Sequence, residues 1–282
     1  MGDCDPTGPG CLVALPSRIR HPHLLIVVHG LVSRPANLLR HFGGMAERHG
    51  IAIMAPDFSG PAWRGFQRLA ADGAPDRSAQ RLELAARDLA GRLGLDDGRF
   101  DLAGYSAGAQ FAHRFAMSRP ERVRSLLIGA AGWYTEADLS LPYPEGLGGI
   151  ADPARVAAFL RLPIVIAVGG ADRQSDTSLR RSPELDQRQG RNRLERARFW
   201  TAHLLQRAAE LGIEPRVTLA ELAGTGHSLS EAVKLGRLDR LLADHILDPA
   251  IACGGPPPIG TLPVPDCTAT RMPQCTDREI LP

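Results

Sequence analysis

The stretch FDLAGYSAGAQFAHRFAMS, residues 100–118, decides the fold. It begins as a short apolar strand, passes through G-Y-S-A-G and continues with the periodicity of a helix. A strand, a sharp turn and a helix in this order project a serine hydroxyl from the carboxyl edge of a sheet. Gly104 and Gly108 fit this geometry, because strand and helix pass there too closely for side chains. The pattern predicts that Ser106 is a nucleophile, against the alternative of a chance G-x-S-x-G in a glycine-rich chain.

The rest of the chain alternates short apolar runs with helical patterns. Strands are predicted at 12–15, 24–28, 51–55, 100–103, 124–129, 163–168 and 216–221. Helices are predicted at about 36–48, 77–94, 107–118, 191–211 and 229–247. Such alternation is typical of the α/β class, with a mostly parallel sheet of about seven strands and helices on both of its faces.

Two regions interrupt the alternation. Residues 134–162 are rich in proline and glycine and predict a long loop or small cap between two strands. Residues 249–282 contain eight prolines without periodicity and predict an irregular tail. The domain organisation expected is therefore an N-terminal extension at 1–11, one α/β domain at 12–248 that carries the cap, and the tail.

The bulk composition excludes some classes of partner. The 282 residues are 44% hydrophobic and 23% charged, which is typical of a globular protein. A formal net charge of +2 gives no argument for a nucleic-acid partner. No segment approaches the roughly 20 apolar residues that a membrane span needs. We expect neither a nucleic-acid partner nor a membrane span, and the oligomeric state stays open.

All cysteines lie near the two ends of the chain. They are Cys4, Cys11, Cys253, Cys267 and Cys275. Cysteines confined to Gly/Pro-rich ends favour disulfides and a secreted or periplasmic location. Their odd number and the absence of signal-peptide features at the N-terminus leave a cytoplasmic location open. No C-x-x-C spacing indicates a metal site.

A serine nucleophile needs a base and an acid that orients it. His227 follows the last predicted strand in the Gly-rich loop AGTGHSLS, which favours it as the general base over a plain exposed loop histidine. Asp172 follows the strand PIVIAV after a short G-G-A step, and Asp176 is the alternative acid four residues later. His113 lies on the helix after Ser106 and is expected in the core.

Two backbone N–H groups are expected to bind the oxyanion of the tetrahedral intermediate. One is that of Ala107, directly after the nucleophile. The other is that of Leu31, which follows His29 and Gly30 at the end of the strand LLIVV. The alternative for this second segment is an ordinary turn at the end of a strand.

Aromatic side chains near the predicted carboxyl edge are candidates for the walls of a substrate pocket. They are Trp63, Phe66, Trp133, Tyr134 and Tyr143. These residues fit either an extended or apolar acyl chain or the packing of the cap. The basic stretch Arg180–Arg198 is interleaved with acidic residues, which favours a solvated helix face over an anion site.

With these residues assigned, the chain from about 12 to 247 resembles the α/β-hydrolase superfamily. The resemblance rests on HG at 29–30, GYSAG at 104–108, GGAD at 169–172 and GTGH at 224–227. Residues 104–123, GYSAGAQFAHRFAMSRPERV, look like the polyhydroxybutyrate-depolymerase-like and related esterase branch. Only about 23 residues precede the LLIVV strand, so we expect seven strands and not the eight of the full pattern.

The resemblance implies hydrolysis of an ester, thioester or amide through an acyl-enzyme, without a cofactor. It assigns Ser106, Asp172 and His227 as the triad, and the N–H groups of Leu31 and Ala107 as oxyanion donors. A carboxylesterase acting on a small or polymeric ester is the favoured interpretation. The alternatives are a peptidase or thioesterase on the same triad, and a non-catalytic binding protein on this scaffold.

Overall fold

The computed structural model describes residues 10–69, 76–174 and 178–252. Four of the cysteines (Cys4, Cys253, Cys267 and Cys275) lie outside these ranges, and so does Asp176. The disulfides and the choice of Asp176 as an alternative acid therefore stay predictions.

Seven strands form a single sheet in the described part of the chain. They are β1 Cys11–Ala14, β2 His23–Val28, β3 Ile53–Pro56, β4 Asp96–Tyr105, β5 Val123–Gly129, β6 Ile164–Gly169 and β7 Val217–Leu222. Their order is β1-β3-β2-β4-β5-β6-β7, and only the pairing of β1 with β3 is antiparallel. The predicted sheet, mostly parallel and of seven strands, is confirmed.

The helices follow the strands along the chain. They are α1 Pro35–His49, α2 Arg77–Leu93, α3 Ala107–Ser118, α4 Pro153–Leu160, α5 Pro183–Gln189, α6 Arg193–Glu210, α7 Leu229–Lys234, α8 Leu238–Leu247 and α9 Pro249–Ala252. Short 3₁₀ helices lie at Pro61–Trp63, Phe66–Arg68 and Pro120–Arg122.

Both faces of the sheet are buried at its central strands, which explains the apolar sequence of β2, β3, β5 and β6. In β2, Leu24 and Ile26 pack on the face covered by α2, α3, α4 and α6. Leu25 and Val27 alternate with them and pack against α1, α7 and α8 on the opposite face. The prediction of helices on both faces is confirmed.

Several segments differ from the predicted elements, including β4, which begins at Asp96, and α5, which was not predicted. The helix expected over 229–247 is divided into α7 and α8, because Arg237 takes a positive φ of 57° between them. Residues 134–162 are irregular at first and then form α4. Asp152 caps this helix by accepting a hydrogen bond from the N–H of Arg155 at 2.7 Å. Leu147, in the irregular part, has no exposed surface. The role of this segment as a cap stays a prediction.

Candidate active site

The turn between β4 and α3 holds Ser106 in a strained backbone conformation. Its φ of 57° and ψ of −114° are rare for a residue with a side chain. A Cβ on Gly104 would lie 2.2 Å from the carbonyl oxygen of Gly108, and a Cβ on Gly108 would lie 1.9 Å from that of Val28. The two glycines are therefore required by the close approach of strand and helix, as the sequence pattern predicts.

The strained turn aims the serine at the carboxyl edge of the sheet. The N–H of Ser106 donates to the carbonyl of Gly129 in the neighbouring strand at 2.8 Å, which ties the turn to β5. Helix α3 starts at the next residue, so its N-terminus points at the serine and favours negative charge there. Ser106 itself is half-buried and its hydroxyl faces the loop after β7.

His227 lies in that loop, with its ring between Ser106 and a carboxylate. Its Nε2 is 3.1 Å from Ser106 Oγ, and its ring stacks on Tyr105 with centroids 5.8 Å apart. The loop ends where Ser228 caps α7 by accepting the N–H of Glu231 at 3.3 Å. These contacts hold the imidazole beside the serine.

Asp172 completes the chain of hydrogen bonds from the opposite side of the imidazole. Its Oδ2 lies 3.0 Å from Nδ1 of His227, and only 3% of the residue is exposed. An ionised carboxylate can only accept, so Nδ1 carries the proton and Nε2 can accept from the hydroxyl of Ser106. We refer to Ser106, His227 and Asp172 as the Ser–His–Asp chain.

The loops after β6 and β7 bring Asp172 and His227 together. A Cβ on Gly169 would lie 2.4 Å from the carbonyl oxygen of Thr225, so only glycine allows the loops to approach so closely. The N–H of Ala171 donates to the same carbonyl at 2.9 Å. Gly169 of GGAD is therefore required by the contact between the loops that carry Asp172 and His227.

The two predicted oxyanion donors flank Ser106. A Cβ on Gly30 would lie 3.5 Å from Cβ of Ser106, so the residue before Leu31 is in contact distance of the serine. Ala107 is the first residue of α3, where an N–H has no carbonyl one turn before it. No acceptor for the N–H of Leu31 or Ala107 is found among the described residues.

His29 anchors the loop that carries Leu31. The ring is fully buried, and its Nε2 accepts the N–H of Phe58 at 2.9 Å. The proton is therefore on Nδ1, which donates to the carbonyl of Gly30 at 2.7 Å. Burial lowers the pKa of His29, which keeps the ring neutral for this pair of bonds. Sequence reasoning noted His29 only as part of the HG motif and missed this role.

The aromatic residues predicted as pocket walls are mostly enclosed. Trp63 and Phe66 pack on Phe58, with centroid distances of 5.3 and 5.1 Å, below the loop that His29 anchors. Tyr134 has no exposed surface and stacks on Trp200 at 4.6 Å, so it belongs to the core.

The other two residues predicted as pocket walls are Trp133, which packs against two arginines, and Tyr143, which donates a hydrogen bond to a backbone carbonyl. Trp133 is 4% exposed, and the guanidinium carbons of Arg114 and Arg180 both lie 4.3 Å from its ring centroid. Burial raises the pKa of Tyr143 to about 12, and its hydroxyl donates to the carbonyl of Arg68 at 2.8 Å.

Two arginines of α6 are the functional candidates that sequence reasoning missed. Arg193 and Arg196 are 1% and 0% exposed, so the expectation of a solvated face is wrong for them. Arg196 donates to the carbonyls of Gly132 and Arg180 at 2.5 and 2.8 Å, joining the loops after β5 and β6. The signal was available, because Arg193 continues the helical spacing of the buried residues Ala197, Trp200 and Leu204.

Two further histidines, one buried and one half-buried, have structural partners. His113 has no exposed surface, and its Nε2 accepts the N–H of Thr135 at 3.0 Å, which confirms its predicted core position. His203 accepts the N–H of Ala137 at 2.9 Å, and burial lowers its pKa to about 4. Among the described residues, no group of three or more His, Cys, Asp or Glu side chains is arranged to hold a metal ion. No helix in the same ranges has the length and apolar character to cross a membrane.

Comparison with known proteins identifies the fold. No family model matches the chain, and no curated protein matches it by sequence. The structure is similar to poly(aspartic acid) hydrolase-1 from Sphingomonas sp. KT-1, at 24% identity and a TM-score of 0.73 over 84% of this chain and 97% of that one. It is also similar to LpqC, a poly(3-hydroxybutyrate) depolymerase from Bordetella parapertussis, at 23% identity and a TM-score of 0.67 over 87% of each chain.

A third similar structure is an S-formylglutathione hydrolase from Agrobacterium tumefaciens, at 22% identity and a TM-score of 0.53 over 84% of this chain and 88% of that one. These likenesses confirm the α/β-hydrolase fold predicted from the sequence. A depolymerase of the predicted branch is among the similar structures.

Proposed function

We propose that this protein is a serine hydrolase that cleaves carboxylic esters through an acyl-enzyme. The observation that carries the proposal is the Ser–His–Asp chain, with 3.1 Å between Ser106 Oγ and His227 Nε2 and 3.0 Å between His227 Nδ1 and Asp172 Oδ2. These distances are short enough for proton transfer from the hydroxyl to the imidazole. The α/β-hydrolase fold supports the same conclusion, since the serine follows β4 at the turn where this fold carries its nucleophile.

In the proposed reaction, Ser106 attacks the ester carbonyl while His227 takes the hydroxyl proton. Asp172 stabilises the imidazolium that forms. His227 then gives the proton to the leaving alcohol, and the acyl group stays on Ser106. In the second half, His227 removes a proton from water, the hydroxide attacks the acyl carbon, and the acid leaves as His227 returns the proton to Ser106.

The N–H groups of Leu31 and Ala107 are proposed as the oxyanion donors. No described residue accepts a hydrogen bond from either group, so both can donate to a substrate oxygen. Both belong to segments that flank Ser106. One such donor contributes roughly 10²–10³-fold to the rate of acyl transfer. His29 supports the donor on Leu31 through its bond to the carbonyl of Gly30.

A polyester or hydroxyalkanoate-type substrate is the favoured class of ester. Leu31 and Val32, in the loop beside Ser106, are 57% and 102% exposed, so an apolar surface borders the proposed site. Exposed apolar side chains at the edge of a site favour contact with large, weakly polar substrates. The likeness to a poly(3-hydroxybutyrate) depolymerase supports this class.

Hydrolysis of an amide is the second candidate on the same residues. It is favoured by the likeness to a poly(aspartic acid) hydrolase, whose TM-score of 0.73 is higher than that of the depolymerase. The acyl-enzyme steps are the same for both classes, with an amine in place of the alcohol as the leaving group.

A substrate panel tests the proposal. The purified protein is assayed on p-nitrophenyl esters of two to eight carbons, oligomers of 3-hydroxybutyrate, an acyl-thioester and oligomers of aspartate, beside the Ser106→Ala variant. We expect turnover of esters, with kcat/KM about 10⁴-fold or more lower in the variant. Preference for aspartate oligomers would favour the second candidate. Equal turnover by the variant, or none by either protein on any substrate, would contradict a serine hydrolase.

A further inference from the structure

Arg193 is buried against the acid of the Ser–His–Asp chain. It is the first residue of α6 and only 1% exposed, and its guanidinium Nη1 lies 3.5 Å from Oδ1 of Asp172. The other carboxylate oxygen, Oδ2, faces His227 at 3.0 Å. The two oxygens of one buried carboxylate are thus divided between an arginine and the proposed base.

We propose that Arg193 is a positioning residue of the hydrolytic reaction, one that holds the Asp172 carboxylate turned toward His227. The inference rests on the proposed function, because it assigns a role within that reaction. It goes further by adding a fourth residue to the Ser–His–Asp chain.

The start of α6 is fixed to Asp172 at more than one point. The N–H of Leu194 donates to the backbone carbonyl of Asp172 at 3.3 Å, and Asn192 caps the helix by accepting the N–H of Glu195 at 2.9 Å. Arg193 also donates from Nη2 to Ser178 Oγ at 2.7 Å. The guanidinium is therefore held on both sides, and it can constrain the carboxylate without rearranging.

The charge of Arg193 matters because Asp172 is 3% exposed. Burial of a carboxylate without a paired cation is unfavourable, so the guanidinium of Arg193 compensates the charge of Asp172. The titratable and charged groups around Asp172 come from four elements besides its own loop. They are Tyr105 on β4, Tyr134 in the loop after β5, Arg193 on α6 and His227 in the loop after β7. Arg193 is the cation that makes an ion pair with the carboxylate in this set.

Loss of the positive charge has two consequences that are measurable. The carboxylate becomes able to rotate, which lowers kcat without a direct effect on substrate binding. Protonation of the imidazole before attack becomes easier, because one nearby positive charge no longer opposes it. The acid limb of the pH profile of kcat/KM therefore moves to higher pH.

The variants Arg193→Gln, Arg193→Lys and Arg198→Gln separate this role from a general effect on α6. Arg198 lies on the same helix, but its side chain is 50% exposed and pairs with Glu221 at the surface. On p-nitrophenyl butyrate between pH 5 and 9, we expect Arg193→Gln to lower kcat about 10- to 100-fold, with KM within about twofold. Its acid limb should move up by about half a pH unit or more. Arg193→Lys should recover part of both effects, and Arg198→Gln should match the wild type.

A double-mutant cycle with Asp172→Asn provides the second test. If Arg193 acts through the carboxylate, Arg193→Gln costs less than about twofold in kcat when Asp172 is already neutral. The double variant buries no unpaired carboxylate. Its comparison with Asp172→Asn therefore remains a test where Arg193→Gln alone does not fold. Independent losses that multiply, or an unmoved acid limb in Arg193→Gln with no recovery in Arg193→Lys, would overturn the inference while the wild type stays active. A wild type inactive on every substrate overturns the proposed function, and the role of Arg193 with it.

Discussion

The carboxyl edge and the amino edge of the sheet both carry a histidine, an aspartate and an arginine, and they use them differently. At the amino edge, His21 Nε2 lies 2.9 Å from Asp101 Oδ2, and Arg124 donates to the same oxygen at 2.8 Å. Ser125 donates to the other oxygen of Asp101 at 2.5 Å. We call these four residues the amino-edge cluster.

The amino-edge cluster differs from the Ser–His–Asp chain in the solvent exposure of its side chains and in the backbone conformation of its serine. His21, Asp101 and Ser125 are 7%, 0% and 1% exposed, and the serine is bound to the carboxylate instead of the imidazole. Burial alone would raise the pKa of Asp101, but hydrogen bonds from His21, Arg124 and Ser125 and the charge of Arg124 lower it on balance. The amino-edge cluster is therefore a closed network that stabilises the fold. A reactive set needs, in addition, a strained serine whose hydroxyl faces the open nitrogen of the histidine.

Exchange of the two histidines for glutamine gives the largest expected contrast. His227→Gln should lower kcat/KM on p-nitrophenyl butyrate by about 10⁴-fold or more, because no base remains for Ser106. His21→Gln should keep kcat/KM within about threefold and lower the free energy of unfolding by about 1–3 kcal/mol, since a buried charged hydrogen bond is lost. Kinetics and urea denaturation at pH 7 measure both. A His227→Gln variant as active as His21→Gln would remove the distinction between the edges.

The close packing at the nucleophile turn is tested by adding a methyl group to Gly108. Gly108→Ala puts a Cβ 1.9 Å from the carbonyl oxygen of Val28, so we expect a loss of about 3 kcal/mol or more in the free energy of unfolding. Gly91→Ala is the matched control, since Gly91 lies in α2 with nothing within 4 Å of an added Cβ. It should gain about 0.5–1 kcal/mol from helix propensity. Urea denaturation decides, and a tolerated Gly108→Ala would show that the turn is not tightly packed.

The amino edge also sets a pH dependence of stability. Burial lowers the pKa of His245 from 6.5 to about 4, with Arg124 opposing and Asp101 favouring the charged form. The unfolded chain binds a proton at His245 below about pH 6.5 and the folded chain does not. Its contribution to stability is therefore complete above that pH and is lost as the pH falls toward 4.

His245→Asn removes this titration. Between pH 7 and 4, the free energy of unfolding should fall less in the variant than in the wild type, by up to about 3 kcal/mol at ~1.4 kcal/mol per pKa unit. His29, His113 and His203, whose pKa values are also lowered, remain in both proteins and cancel in the difference. Urea midpoints across the pH range measure it. Parallel curves for the two proteins would refute the assignment to His245.

The serine of the amino-edge cluster gives the smallest expected effect. Ser125→Ala removes one hydrogen bond to a buried carboxylate and should cost about 1.5–3 kcal/mol in the free energy of unfolding. Turnover should stay within about twofold of the wild type, because Ser125 is not part of the site at the carboxyl edge. Loss of turnover without loss of stability would mean that the two edges are coupled.

The parts of the molecule that local sequence determines were predictable. Most strands contain a short apolar run, and Ser106, Asp172 and His227 each follow the end of a strand at a glycine-rich step. A glycine that is required by the contact of two segments is visible in the sequence, even when the segment that it contacts is distant in the chain.

The missed features depend on contacts between residues far apart in the chain. Arg193 meets Asp172 across 21 positions, and Trp133 is covered by arginines from α3 and from the loop before α5. The residue type does not indicate whether an arginine is buried or solvated, and only its position in the helical repeat distinguishes the two. The packing of aromatic side chains in the core, such as Tyr134 on Trp200, is likewise a tertiary property that no local pattern encodes.

Labelling with a fluorophosphonate, with the modified residue located by peptide mass spectrometry, tests the central claim most directly. The account predicts one adduct, on Ser106, in the wild type and in His21→Gln. It predicts strongly slowed labelling in His227→Gln and no adduct in Ser106→Ala. An adduct on Ser125 or another serine, or an unlabelled wild type, would contradict the assignment of Ser106 as an activated nucleophile.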